Sequence, residues 1–421
     1  MTETRTNWAG NVTFRAGRLH RPDTLDELRK LVAGRSRLRT LGTGHSFNRL
    51  ADTTGDQVSV AGLPADLRFD PAGPRVRVPA GLRYGDLVAR LHAAGWALPN
   101  LASLPHISVA GACATGTHGS GDRNGGLATS VSALRLVTAD GDLVTLDRRA
   151  DPDRFPGSVV ALGALGVVVD LTLDLVPAFD LRQYVYQDLP RAELDAHQAE
   201  VFGAGHSVSL FTDWTGPRFN QVWIKRRVDD PGPWQPTPRW FGATLADRPL
   251  HPVPGMSAEN CTGQLGEPGP WYARLPHFRL EFTPSSGEEL QSEYLLPRTR
   301  MTEALDAVDR VRHLVAPVLQ ISEIRTVAAD DLWLSPSYGR DSVAIHFTWV
   351  KDPEAVAPVL AAVERELAGL GARPHWGKVF AVPAAELRDR YDRHGDFLDL
   401  MRHFDPAGKF RNELLDTYFP R

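Results

Sequence analysis

The chain has 421 residues, 42% hydrophobic and 23% charged, with a formal net charge of -4; this is enough apolar material for two packed cores and too little charge imbalance to gather nucleic acid. The first residues lack a basic start followed by an apolar run, and no later stretch offers about 18 consecutive apolar residues, so a cytoplasmic protein without membrane contact is expected. Cys113 and Cys261, the two cysteines, cannot build a disulfide framework and have no partner at zinc-finger spacing, which predicts buried thiols and no metal.

In chain order, Pro22-Asp23 opens a helix with Leu25, Leu28, Leu31 and Val32 on one side, stopped by Gly34. A strand over 38–41 runs directly into Gly42-Thr43-Gly44-His45-Ser46, where two glycines let the backbone turn tightly and approach a ligand closely. Runs at 67–70 and 76–78 flank a Pro/Gly turn as a hairpin, and Leu87, Val88 and Leu91 mark a helix ended by Gly95. The patterning is α+β. No Gly-x-Gly-x-x-Gly opens a helix after a strand, which disfavours a doubly wound dinucleotide fold.

Segment 103–121, SLPHISVAGACATGTHGSG, sustains neither the helical nor the strand period. Its small residues and hydroxyls fit either a backbone that surrounds a pyrophosphate with amide donors or a close-packed loop. Strand-like runs resume over 134–176, with Asp140-Gly141 as a hairpin turn, and Pro177 closes a first domain. Longer aromatic strands follow at 207–214 and 221–227. The Pro/Gly/Trp-rich stretch 229–271 is long for a loop and reads as a cover over a substrate or as a poorly ordered excursion. A helix over 301–315, with Leu305, Val308, Val311 and Leu314 or Val315 on one side, precedes a strand over 318–327, and a second helix lies near 356–370.

In that strand, alternation puts Glu323 and Arg325 on one face and Ile324 and Thr326 on the other. Over 342–350, His346 and Thr348 share a face opposite Ile345, Phe347 and Trp349. If paired, the two strands bring a carboxylate, a guanidinium, an imidazole and a hydroxyl together, which points to a site; a solvated face is the plainer reading of either strand alone. In Pro374-His375-Trp376-Gly377-Lys378 the lysine either sets positive charge against a developing anion or sits on the surface after a turn.

These motifs, with Ser103-Leu104-Pro105-His106 and Ala114-Thr115-Gly116-Thr117-His118-Gly119, resemble those of the vanillyl-alcohol oxidase flavoprotein superfamily (VAO/PCMH type), and within it the bacterial alditol oxidases, over 7–412. The resemblance implies a two-domain fold. An FAD-binding domain would span 1–178 and a mixed-sheet substrate (cap) domain 179–378, with segment 379–421 returning to the first. It implies FAD held by a single covalent link to His45. Some relatives attach the flavin a second time through a cysteine near the start of the second glycine-rich loop, where Ser103 and Leu104 stand here, and Cys113 lies too far along. Thr40, Leu41, Gly42, Thr43, Gly44, Ser46, Ala102, Ser103, Ser108, Gly111, Thr115, Gly116, Thr117, His118, Val168, Arg325, Thr348 and His375 would line the cofactor.

The same resemblance implies oxidation of the terminal primary alcohol of a polyol such as xylitol or sorbitol. Glu323 would bind substrate hydroxyls with help from Thr348 and Ser103, Arg325 or Lys378 would stabilise charge at the flavin edge, and His346 or Lys378 would take the hydroxyl proton. Ala102 would stand where oxygen approaches and is compatible with, without deciding, an oxidase; positive charge from Lys378 beside the reduced flavin carries the expectation of oxygen as acceptor and hydrogen peroxide as product, and a monomeric protein is expected. The alternative is a sugar-lactone oxidase or dehydrogenase on the same frame, with a flavin-binding protein without turnover as the lesser one.

Overall fold

The apolar spacing near the start of the chain becomes the helix Leu25–Ala33, which begins after Thr24 rather than at Pro22 because the Thr24 side chain caps it, accepting from the Glu27 N–H. A computed structural model describes residues 5–232, 234–281 and 288–421. Leu19–His20, Leu38–Thr40 and Asp56–Val58 form a small parallel sheet. Beside it, Arg68–Phe69, Arg75–Pro79, Val167–Asp174, Val131–Val137 and Leu143–Asp147 line up antiparallel in that order. Its 140–141 hairpin turn is as expected, with Gly141 at φ +86°. The core between these sheets and the helices buries Val58, Val78, Leu87, Leu134 and Leu171, and Phe397, Phe410 and Leu415 from the far end of the chain join the same cluster.

Three side chains pin that returning end. The buried Arg39 guanidinium donates to the carbonyls of Leu50, Leu162, Gly163 and Phe410. Lys409 Nζ donates to Val32 and Ala139, and the Asn412 amide to Arg49, Leu50 and Asp52.

A ten-stranded sheet makes the second layer, with Arg218–Arg227, Ser207–Thr212, Leu319–Val327, Ser342–Val350 and Glu289–Pro297 side by side at its centre. The α+β architecture is the one expected, corrected in one detail: every strand pair of this sheet among the described residues is antiparallel, not mixed. Short hairpin returns such as 212–218 need no crossover helix. One face carries Ile324, Ile345, Phe347 and Trp349 into a core closed by the helices Met301–Arg310 and Pro353–Leu367. The single helix expected over 301–315 is two, because the turn tightens at Val311, whose N–H bonds Val308 O at 3.0 Å, and Arg312–Val315 restarts with Val315 buried and Leu314 exposed.

One open reading is decided here. Stretch 229–271 is a cover: Ala243–Leu245 and Gly269–Pro270 pair with the sheet edge, and the Gln264 side chain closes a ring with the Leu250 backbone. Segment 103–121, in which no period was expected, contains the short helix Val109–Ala114, built from residues small enough to pack closely against the loop above it. Both cysteines are buried and unpaired, Cys113 beside the Tyr84 hydroxyl at 3.6 Å. No helix among the described residues is long and apolar enough to cross a membrane.

Candidate active site

Between the two layers lies a cavity of about 650 Å³. Its floor is the loop that follows Leu38–Thr40. Gly44, at φ +73°, turns the chain so that the His45 ring faces inward, where it stacks on Trp8 with centroids 5.1 Å apart and an interplanar angle of 20°. The loop is clamped from both ends of the molecule. Trp8 N–H donates to Gly44 O at 2.8 Å and the Asn7 amide to Ser46 O at 2.9 Å, while Phe47 N–H donates to Gly377 O and the Asn48 amide to the carbonyls of Trp376 and Lys378. Gly42 and Gly111 flank Ser108, and a Cβ at either would stand 2.7 Å from its Oγ.

The roof is the polar face of the sheet, and it is buried rather than solvated. Register sets Glu323 opposite His346, and His346 opposite Glu293 on the next strand. Arg325 reaches Glu293, lies 3.6 Å from Glu323 and donates to Ser103 Oγ at 3.4 Å, which joins roof to floor. Lys378 Nζ donates to Glu293 Oε2 at 2.8 Å and to His346 Nδ1 at 2.7 Å, so it is not a surface lysine. His346 Nε2 is 3.0 Å from Thr348 Oγ1, and His118 Nε2 3.3 Å from Glu293 Oε1.

Burial alone would raise Glu293, but Lys378, Arg325 and His118 outweigh it and hold the carboxyl well below its usual range. Glu323 is held low in the same way, by Arg325 and His277 against burial. Burial and then Lys378 push His346 and His375 well below the ordinary imidazole value. Burial also lowers Lys378, against the pull of Glu293. The roof thus carries two carboxylates and two basic side chains around neutral imidazoles.

Of the residues expected at the site, all line this cavity except Gly116. Gly116, between the lining residues Thr115 and Thr117, turns the chain at φ +71° and packs on Pro336, whose Cδ a Cβ would meet at 3.0 Å. Sequence reasoning missed Glu293, the shared partner of Arg325 and Lys378, and His277, whose Nε2 is 2.8 Å from Glu323 Oε1. The alternation Glu289, Gln291, Glu293 in Glu289–Pro297 carried the signal for the former.

Whether these residues suit FAD is testable on their own chemistry. Thr40 Oγ1 and His45 Nδ1 are buried at the cavity wall without a hydrogen-bond partner. Burial, then His106, lowers the His45 imidazole to about 4, so it is uncharged near neutrality. The glycine cradle admits a backbone-contacting ligand that any side chain there would obstruct. The set fits FAD.

Residues 18–147 match the family described as FAD binding domain, and residues 287–418 that described as D-arabinono-1,4-lactone oxidase. The chain is 56% identical over 418 residues to alditol oxidase of Streptomyces sp., covering 99% of each. It is 30% identical over 424 residues to L-gulono-1,4-lactone dehydrogenase of Mycobacterium tuberculosis, covering 97% of each. Among solved structures, cholesterol oxidase from B. sterolicum superposes with a TM-score of 0.77 at 15% identity over 99% of this chain and 96% of that one, a likeness of fold alone.

Proposed function

The chain belongs to the vanillyl-alcohol oxidase family of FAD-dependent oxidoreductases, and from that premise we propose that it oxidises the terminal primary alcohol of a polyol to the aldehyde with reduction of oxygen to hydrogen peroxide, on FAD linked through His45. The observation that carries this reading is the charge-balanced roof, in which Glu323 and Glu293 stand among Arg325, Lys378, His346 and Thr348 over the glycine cradle. A neutral substrate rich in hydroxyls finds acceptors and donors there without importing charge. The lactone reading draws on the more distant relatives, at 30% identity against 56%.

FAD, when bound, supplies the acceptor for the hydride that leaves the carbinol carbon and passes the electrons to oxygen. The chain does the rest. Glu323 spends one oxygen on His277 and turns its remaining lone pairs to substrate hydroxyls. A charged Lys378 can only donate to His346 Nδ1, which leaves hydrogen on Nε2 for Thr348 and gives His346 no free lone pair. Lys378 in its neutral form is therefore the better proton acceptor, and Glu293 holds the ammonium that results. Arg325 keeps a fixed positive charge in a buried site, where it acts more strongly than in solvent.

Two results follow. Acid-precipitated protein stays yellow and a tryptic peptide containing His45 carries the FAD mass, whereas His45→Ala releases its flavin to the supernatant; colour lost from the wild type would refute the linkage. Ala102→Val narrows the cavity wall beside Ser103 and slows oxygen uptake about tenfold, equivalent to about 1.4 kcal/mol of barrier, with dye reduction by polyol retained. Equal losses with oxygen and dye would take Ala102 off the oxygen path.

A further inference from the structure

We propose that Lys225 and His277 act as a positioning pair that fixes the Glu323 carboxylate from behind and thereby sets affinity for the polyol. This rests on the polyol reading above and adds two residues that reasoning from motifs does not reach. Lys225 lies in the strand Arg218–Arg227, is 1% exposed and does not line the cavity. Its Nζ has three acceptors for its three hydrogens: Leu275 O at 2.5 Å, Pro276 O at 3.1 Å and His277 Nδ1 at 3.0 Å. A donor at Nδ1 forces the imidazole hydrogen onto Nε2, which faces Glu323 Oε1 at 2.8 Å. The edges of Phe211 and Trp223 hold the ring, with centroids 5.5 and 5.2 Å away. The ammonium thus orients an uncharged ring, and the ring orients the carboxylate that meets substrate.

Glu323, Arg325, Cys261 and Arg274 are the charged or titratable groups that face this pair. Burial raises the Cys261 thiol to about 12, so it stays neutral. Burial also pulls Lys225 down to about 7 against the attraction of Glu323, and lowers His277 to about 4 with Lys225 adding to the effect. Above about pH 7, therefore, the amine is left with two hydrogens for three acceptors, and the hold on His277 slackens.

The test uses the flavin-loaded, full-length protein with xylitol. In the wild type KM rises as pH passes about 7. Lys225→Met raises KM about tenfold or more with kcat changed less than about threefold, and its KM no longer depends on pH across that range. His277→Leu does the same. His277→Gln, whose carbonyl can accept from Lys225 while its amide donates to Glu323, returns KM to within about threefold of wild type. Without substrate, Lys225→Met also speeds amide hydrogen exchange at Leu275 and His277. KM within about twofold of wild type in both Lys225→Met and His277→Leu overturns the proposal. If Lys225→Met fails to fold, the Leu and Gln variants of His277 decide alone. If the wild type oxidises an aldonolactone and no polyol, the earlier reading falls, and the same KM comparison on the lactone judges the pair.

Discussion

Lys378→Met is expected to lower polyol turnover about a thousandfold, within the range for loss of a positioned proton acceptor, while the protein stays yellow. The side chain is bound to both Glu293 and His346, so its removal strips the roof of the group that takes the hydroxyl proton and of the donor that keeps His346 in one tautomer. Burial lowers Lys378, so wild-type turnover should climb with pH as the amine loses its proton, and the variant should lack that limb. Stopped-flow bleaching of the flavin by xylitol without oxygen measures the step directly. A variant that bleaches at nearly the wild-type rate would move the proton acceptor elsewhere.

Glu293→Gln is expected to be the most destabilising single change at the site. It leaves Arg325 and Lys378 buried side by side without the carboxylate both contact. Breaking a buried pair in this way costs about 3–5 kcal/mol, which lowers the melting temperature of a chain of this length by about 3–6 °C. The pH dependence has a definite sign. Because the folded carboxyl lies well below its ordinary value, its stabilisation is complete above the unfolded value and is lost as pH falls toward the folded one. The gap between wild type and variant in thermal melts should thus be full near neutrality and close progressively in acid. A gap of constant size would assign the loss to packing rather than to charge.

The readable parts of this site are the ones whose meaning is local. Glycines beside His45 announce a tight turn, and alternation along Leu319–Val327 and Ser342–Val350 sorts polar from apolar faces whatever lies on the next strand. Burial of the polar face was not legible, because it depends on the cover formed by 229–271 and on the loops below. Glu293 shows the same alternation, yet its importance comes from Arg325 and Lys378, 32 and 85 residues further along. Lys225 opens a Lys-Arg-Arg run at the end of an aromatic strand, and only the returning 275–277 segment gives it three acceptors. Gly116 has a second reason to be glycine that the motif does not announce, the turn it makes against Pro336.

The pinning of the returning segment by Arg39, Lys409 and Asn412 bears on the order of events during synthesis. The carbonyls of Leu50, Leu162 and Gly163 share Arg39 with Phe410, and those of Arg49, Leu50 and Asp52 accept from Asn412. At ribosomal speeds, residues 409–412 emerge on the order of tens of seconds after the His45 loop. Until then the segment 49–52 that follows the loop lacks its brace, so the nascent chain cannot complete its first layer before its second. Covalent capture of the flavin would then act as a timer on translation, reporting molecules whose far end has docked, and a ribosome stalled before residue 405 should display chains that carry no linked cofactor.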